Sequence, residues 1–128
     1  MAKEFTFKGK TLEQLKAMKL EEFIELLTTR KRRTFNRGLK DKHKKFMKTL
    51  RESKGPKPIK THDREMIIIP EMIGRRLAVH NGKEWTVVEL QPKSLGHLLG
   101  EFAGTRKKVA HSGPGIGATR GTKFVSVK

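Results

Sequence analysis

The chain has 128 residues, with 30 Lys and Arg against 13 Asp and Glu, a formal charge of +17, and no cysteine. The lack of cysteine excludes disulfides, thiolate metal sites and cysteine nucleophiles. A surplus charge of this size brings a compact domain only self-repulsion, so it implies a polyanionic partner: nucleic acid first, an anionic membrane surface second.

Residues 1–29 hold five Lys and five Glu and read as helical. The opening Met-Ala-Lys-Glu-Phe-Thr-Phe-Lys has no apolar h-region, so no secretory signal is expected and a soluble cytoplasmic protein is. Thr11-Leu12-Glu13-Gln14 fits a capping box, with Thr11 as N-cap and Gln14 reaching back. Leu12, Leu15 and Met18 follow at helical spacing. A second helical segment starts near Leu20, where Leu20, Phe23, Ile24 and Leu27 form one apolar stripe. Lys19 stands where a cap is expected.

Residues 30–60 hold fourteen basic residues and two acids, Asp41 and Glu52. The run Arg30-Lys31-Arg32-Arg33 leads into Thr34-Phe35-Asn36-Arg37-Gly38, which predicts a break. A further helix is expected over about 38–52. Its apolar positions, Leu39, Phe46, Met47 and Leu50, form a narrow seam. Arg37, Lys40, Lys44, Lys48 and Arg51 line a different face at steps of three or four. Such a helix packs on protein with one side and meets phosphates with the other. Ser53-Lys54-Gly55-Pro56-Lys57-Pro58 is a linker signal. The expected organisation is an N-terminal helical extension with a basic arm over 1–53, an α+β core over 54–104 and a basic Gly-rich tail over 105–128.

Residues 61–104 are near neutral, with five basic and six acidic residues. Ile59 to His62 is a candidate strand. The apolar run Met66-Ile67-Ile68-Ile69 stops at Pro70, far short of the roughly 20 residues that span a bilayer. Arg75–His80 and Lys83–Leu90 flank Asn81-Gly82, a strong hairpin signal. A two-residue turn there predicts that His80 opposes Lys83, Val79 opposes Glu84, Ala78 opposes Trp85 and Leu77 opposes Thr86. Leu77, Val79, Thr86, Val88 and Leu90 then face the core. Arg76, Ala78, His80, Lys83, Trp85, Val87 and Glu89 face outward, a mixture of basic and aromatic groups suited to RNA. Trp85 is open to two readings, an RNA-facing group or a side chain covered by a loop. Pro92 to Gly100 predicts a short helix, closed by Glu101-Phe102.

Residues 105–128 hold six basic residues and no acid. Gly113, Gly115, Gly117, Gly121 and Pro114 leave too little apolar surface for this stretch to fold alone. With Arg106, Lys107, Lys108, Arg120 and Lys123 it reads as a tail that orders on RNA.

Catalytic and cofactor readings fail on the residues. A nucleotide P-loop needs Gly-Lys followed by Ser or Thr, framed by a strand and a helix, but Gly121 is followed by Thr122. His97 and Glu101 are four apart, yet zinc needs three or four ligands, and His80 or His111 join them only by guesswork. No nucleophile triad or carboxylate pair stands out. The histidines read as hydrogen-bonding or base-stacking groups. No enzymatic activity, metal or cofactor is expected.

Three spaced blocks then carry a family resemblance: Ile69-Pro70-Glu71-Met72-Ile73-Gly74, Ala78-Val79-His80-Asn81-Gly82-Lys83, and Gly96-His97 with Leu99-Gly100-Glu101-Phe102 and Thr105-Arg106. In order and spacing they resemble the universal small-subunit ribosomal protein family S-nineteen. Gln14-Leu15, Arg30–Arg33 with Asn36-Arg37-Gly38-Leu39, Lys60-Thr61-His62, and His111 with Gly113 to Thr119 resemble its archaeal and eukaryotic branch. The resemblance implies an α+β fold with a small three-stranded, mostly antiparallel sheet. It implies a structural role in the head of the small subunit, on the 3′ domain of its rRNA, beside the S-thirteen family protein and close to an intersubunit bridge. It also implies a C-terminal tail near the decoding region and tRNA. Neither a membrane nor a homo-oligomer is expected. The RNA-contacting candidates are the arm cations above with Lys57, Lys60 and His62, the core residues Arg64, Arg76, His80, Asn81, Lys83 and His97, and the tail residues Arg106, Lys107, Lys108, His111, Arg120 and Lys123. Arg64, Arg76 and Arg106 are the expected positional anchors.

Overall fold

The computed structural model describes residues 5–53 and 55–110; the tail from His111 onward, with Arg120 and Lys123, lies outside the described residues. A two-residue hairpin opens this part of the chain, β1 (Thr6–Phe7) against β2 (Lys10–Thr11). Lys8 and Gly9 turn it with φ of 52° and 80°, the paired positive values that a twisted hairpin favours. The sequence reading did not foresee it, because Lys-Gly is a weak turn signal.

Four helices follow: α1 (Leu12–Ala17), α2 (Leu20–Leu26), α3 (Thr29–Asn36) and α4 (Asp41–Glu52). The Thr11 amide donates to Gln14 Oε1 at 3.1 Å, the reaching-back half of the expected capping box. Lys19 precedes α2 in an extended conformation without a side-chain cap. One boundary differs from expectation. The basic run Arg30–Arg33 lies inside α3, and the break comes later. Gly38 has φ of 92° and its amide bonds Phe35 O at 2.9 Å, so it closes α3 as a left-handed glycine. The next helix therefore starts at Asp41 rather than near 38, and half-buried Leu39 sits in the connection.

The main sheet has the order β3 (Ile59–Thr61), β4 (Arg76–His80), β5 (Trp85–Glu89). Five register pairs join β4 to β5 antiparallel and three join β3 to β4 parallel, so the sheet is mostly antiparallel, as expected. The hairpin register is corrected by two residues. His80 opposes Trp85, not Lys83, and Val79 opposes Thr86, not Glu84. Asn81 causes the shift. Its side-chain oxygen accepts from the amides of Lys83 at 3.0 Å and Glu84 at 2.8 Å, while its own amide bonds Glu84 O. Four residues thus fill the loop. A slide of two leaves both faces intact, because side chains alternate with a period of two. Leu77 and Val79 are fully buried, and Trp85 and Val87 are exposed.

The expected helix over 92–100 is replaced by two 3-10 helices, Pro92–Ser94 and Leu99–Phe102. Gly96 separates them with φ of 75°, and a Cβ there would stand 3.3 Å from Leu27 Cδ2. Met66–Ile69 runs extended through the middle of the molecule. The Ile68 amide bonds His97 O at 2.8 Å, and Leu99 N bonds Met66 O at 2.9 Å. All four of its side chains are buried.

The buried residues form one continuous cluster, from Leu15, Phe23 and Phe35 through Phe46, Met47 and Leu50 to Met66–Ile69, Leu77, Val79, Leu90 and Leu99. Each such side chain contributes about 1.5–3 kcal/mol. The helical extension therefore completes the core of the sheet rather than standing apart from it.

Candidate nucleic-acid interface

α4 shows how a strongly basic helix comes to lie on the core. Its buried positions are His43, Phe46, Met47 and Leu50, spaced as one helical stripe. Its other side chains then fasten it to the segment after β3. Lys40 Nζ is 2.8 Å from Glu65, Lys42 Nζ is 3.6 Å from both Asp63 and Glu65, and buried His43 meets buried Asp63. Arg51 grips Glu71 with two bonds of 3.1 and 3.0 Å. Arg75, at the entry to β4, donates to Leu50 O and Ser53 O and so satisfies carbonyls at the helix C-terminus. The His43–Asp63 pair escaped the sequence reading. The only signal was that His43 completes the apolar stripe one turn before Phe46 and Met47.

The candidate RNA residues accordingly divide into two sets. One set is engaged within the protein. Arg64 donates to three main-chain carbonyls, His80 O at 2.8 Å, Gly100 O at 2.8 Å and Ala103 O at 2.6 Å. Arg32 bonds Glu25 O and Leu27 O at the end of α2. Asn81 shapes its own loop, Lys107 pairs with Glu84, and His97 Nδ1 lies 2.6 Å from Glu101 Oε2. That last pair has no third ligand, and no cluster of metal-binding side chains occurs among the described residues.

The other set is unneutralised. Arg30, Lys31, Arg33 and Arg37 on and after α3, and Lys45 on α4, have no ion-pair partner among the described residues. All but Lys31, which is half-buried, are exposed. Lys44 and Lys48 have only loose contacts, 3.7 Å to Asp41 and 3.9 Å to Glu52. Around the linker, Lys57 and Arg76 line a cleft of about 500 Å³ that contains no acid. The outer face of the sheet carries Lys60, Ala78 and Val87 in one row and His80 and Trp85 in the next, with His62 just past the end of β3. Lys83 stands exposed in the hairpin loop, and Arg106 and Lys108 are exposed beyond the core.

The acids decide the sign of this surface. Of the eight in residues 30–104, seven already have a basic partner within 4.0 Å; Glu89 has none among the described residues. Hydrogen bonds from Lys40 and Lys107 hold the Glu65 and Glu84 carboxyls below the ordinary carboxylate range. Burial pushes the Glu101 carboxyl up, but His97, the Leu98 amide and nearby Lys31 outweigh it, and the net direction is down. Glu65, Glu84 and Glu101 therefore stay ionised and paired at neutral pH, and Arg30, Lys31, Arg33, Arg37 and Lys45 are left without an ion-pair partner among the described residues. Phosphates are the fitting counter-charge. No described helix is long and apolar enough to cross a membrane.

The sequence model of the family described as ribosomal protein S19 matches residues 33–111. The small ribosomal subunit protein uS19 of Methanoregula boonei is 51% identical over 125 residues, covering 98% of this chain and 88% of the relative. The protein of that name from Methanoculleus marisnigri is 50% identical over 125 residues, covering 98% and 90%. With a family match over most of the chain and half of its residues shared with curated relatives along nearly its full length, this chain belongs to the ribosomal protein S19 family.

Proposed function

We propose that the chain is a structural, non-enzymatic protein of the small ribosomal subunit, working in the cytoplasmic ribosome by binding small-subunit rRNA in the subunit head. The observation that carries this reading, beside family membership, is the pairing of the core acids, which leaves the cations of α3, α4 and the sheet face for phosphates. Arm cations release counterions from the RNA and supply bulk affinity. The folded core, whose shape is set by internal bonds such as those of Arg64, selects the site on the RNA by fit.

The finer placement follows from the same family reading. The partners are the 3′ domain of the rRNA, the S-thirteen family protein, a large-subunit contact at an intersubunit bridge and, for the tail, tRNA near the decoding region. The division into arm (1–53), core (54–104) and tail (105–128) is a division of labour, since the core cluster itself draws on the arm.

Co-sedimentation tests the main claim. The native protein stays with small subunits through a high-salt wash; its release into the free fraction overturns the structural role. For the tail, a chain lacking 106–128 enters subunits and alters tRNA binding or decoding accuracy. Failure to enter subunits would contradict the division.

A further inference from the structure

Trp85 is the only tryptophan of the chain, and the hairpin register places it on the outer face of β5 opposite His80. Because β3 runs parallel to β4 with Thr61 opposite Val79, His62 emerges beside the same pair. The three rings pack mutually. Centroid distances are 4.5 Å for His62–His80, 4.8 Å for His62–Trp85 and 4.9 Å for His80–Trp85. Both imidazoles meet the indole steeply, at 69° and 73°, so neither takes the parallel position that a flat ligand would take. The indole remains 37% exposed. In the next row of the sheet buried Ala78 lies between Lys60 and Val87.

We propose that His62, His80 and Trp85 form a stacking platform for one unpaired RNA base, with Lys60 and Lys83 set for its flanking phosphates. The proposal rests on the rRNA-binding reading above and adds a defined subsite to it. An aromatic cluster left open to water on a basic surface fits a nucleobase, because every base presents an aromatic face and carries phosphates on both sides. Charge agrees. Lys60 Nζ lies 5.5 Å from the Trp85 ring centroid, at the end of an exposed, flexible side chain that can turn to a phosphate. Lys83 is exposed, and Glu84, the acid next to Trp85, is neutralised by Lys107. The Gly82 amide donates to His80 Nδ1 at 3.0 Å, so neutral His80 carries its proton on Nε2, a donor for a base edge or phosphate.

The lone tryptophan makes the test direct. The full chain is titrated with purified small-subunit rRNA, and binding is measured independently by filter retention of the labelled RNA. Binding is expected to quench Trp85 emission and shield it from acrylamide. Trp85→Ala is expected to bind about five- to a hundredfold more weakly, with Trp85→Phe recovering most of the loss. Binding that leaves Trp85 as accessible as before, or undiminished binding by a folded Trp85→Ala or His62→Ala protein, overturns the platform while sparing the rRNA reading. Absence of rRNA binding by the parent chain overturns both.

Discussion

Arg64 and Gly100 are bonded to each other twice: the Arg64 guanidinium donates to Gly100 O at 2.8 Å, and the Gly100 amide donates to Arg64 O at 2.9 Å. A Cβ on Gly100 would stand 3.0 Å from Arg64 Cβ and 3.1 Å from Arg64 O. The same guanidinium reaches His80 O and Ala103 O, so one side chain ties β4 to the last turn of the core. Arg64→Ala leaves these part-buried carbonyls short of a donor and is expected to cost about 2–4 kcal/mol. Gly100→Ala is expected to destabilise in the same direction. Urea unfolding checks both. The salt slope of RNA binding by folded Arg64→Ala should equal that of the parent, since this arginine acts within the protein.

The buried His43–Asp63 pair is the second fastening to test. Both side chains are 5% exposed. Removing Asp63 leaves buried His43 without its partner, and removing His43 leaves buried Asp63 with only Lys42 at 3.6 Å, each a loss of about 1–3 kcal/mol. His43→Ala and Asp63→Ala should each show it in denaturant midpoints. The double variant is expected to lose clearly less than the two single losses together.

The Lys40–Glu65 link carries a pH signature. The hydrogen bond to Lys40 lowers the Glu65 pKa, and the same bond raises that of Lys40. The Glu65 contribution is thus present above the ordinary carboxylate range and lost as pH falls through its lowered folded pKa. The Lys40 contribution is present at and below the ordinary lysine pKa and lost as pH rises through its raised one. Glu65→Gln should be slightly less stable than the parent at neutral pH, and the difference should vanish in acid. A difference that persists unchanged to low pH would contradict the link. The pair is exposed, so the effect is small and shrinks with salt.

The unneutralised arm cations predict a salt effect. Replacing Arg30, Arg33, Arg37 and Lys45 by Ala should lower the log–log salt slope of rRNA binding by roughly 0.7 per lost contact, up to about three units. Unfolding should change little, because these side chains make no described ion pair. An unchanged slope would remove the arm from the interface.

Much of the helical part was legible because its signals are local. The stripe of Leu20, Phe23, Ile24 and Leu27 gave α2, and Phe46, Met47 and Leu50 gave the buried face of α4. The outward face of the hairpin was also legible, since a register error of two residues preserves alternation. The loop size was not, because it depended on the Asn81 side chain taking two amides. The break after α3 was misplaced because Arg37 can end a helix or continue it, and only the left-handed Gly38 decides.

By itself, the sequence determined the class of the chain and the sign of its partner. Period, turn residues and segregated charge are properties of neighbouring residues, and the three spaced blocks named the family. The tertiary structure decided which cations find an acidic or main-chain partner within the protein and which do not among the described residues. Arg64 looked like a phosphate anchor, yet its partners lie 16, 36 and 39 residues away. Lys40 and Arg51 looked alike on one ridge with Lys44 and Lys48, yet Glu65 and Glu71 arrive from the far side of the linker. Trp85 gained its two histidines the same way, from β3 and β4 brought side by side. A charge shows its sign in the sequence, but its partner is set by distance in space, and folding alone fixes that distance.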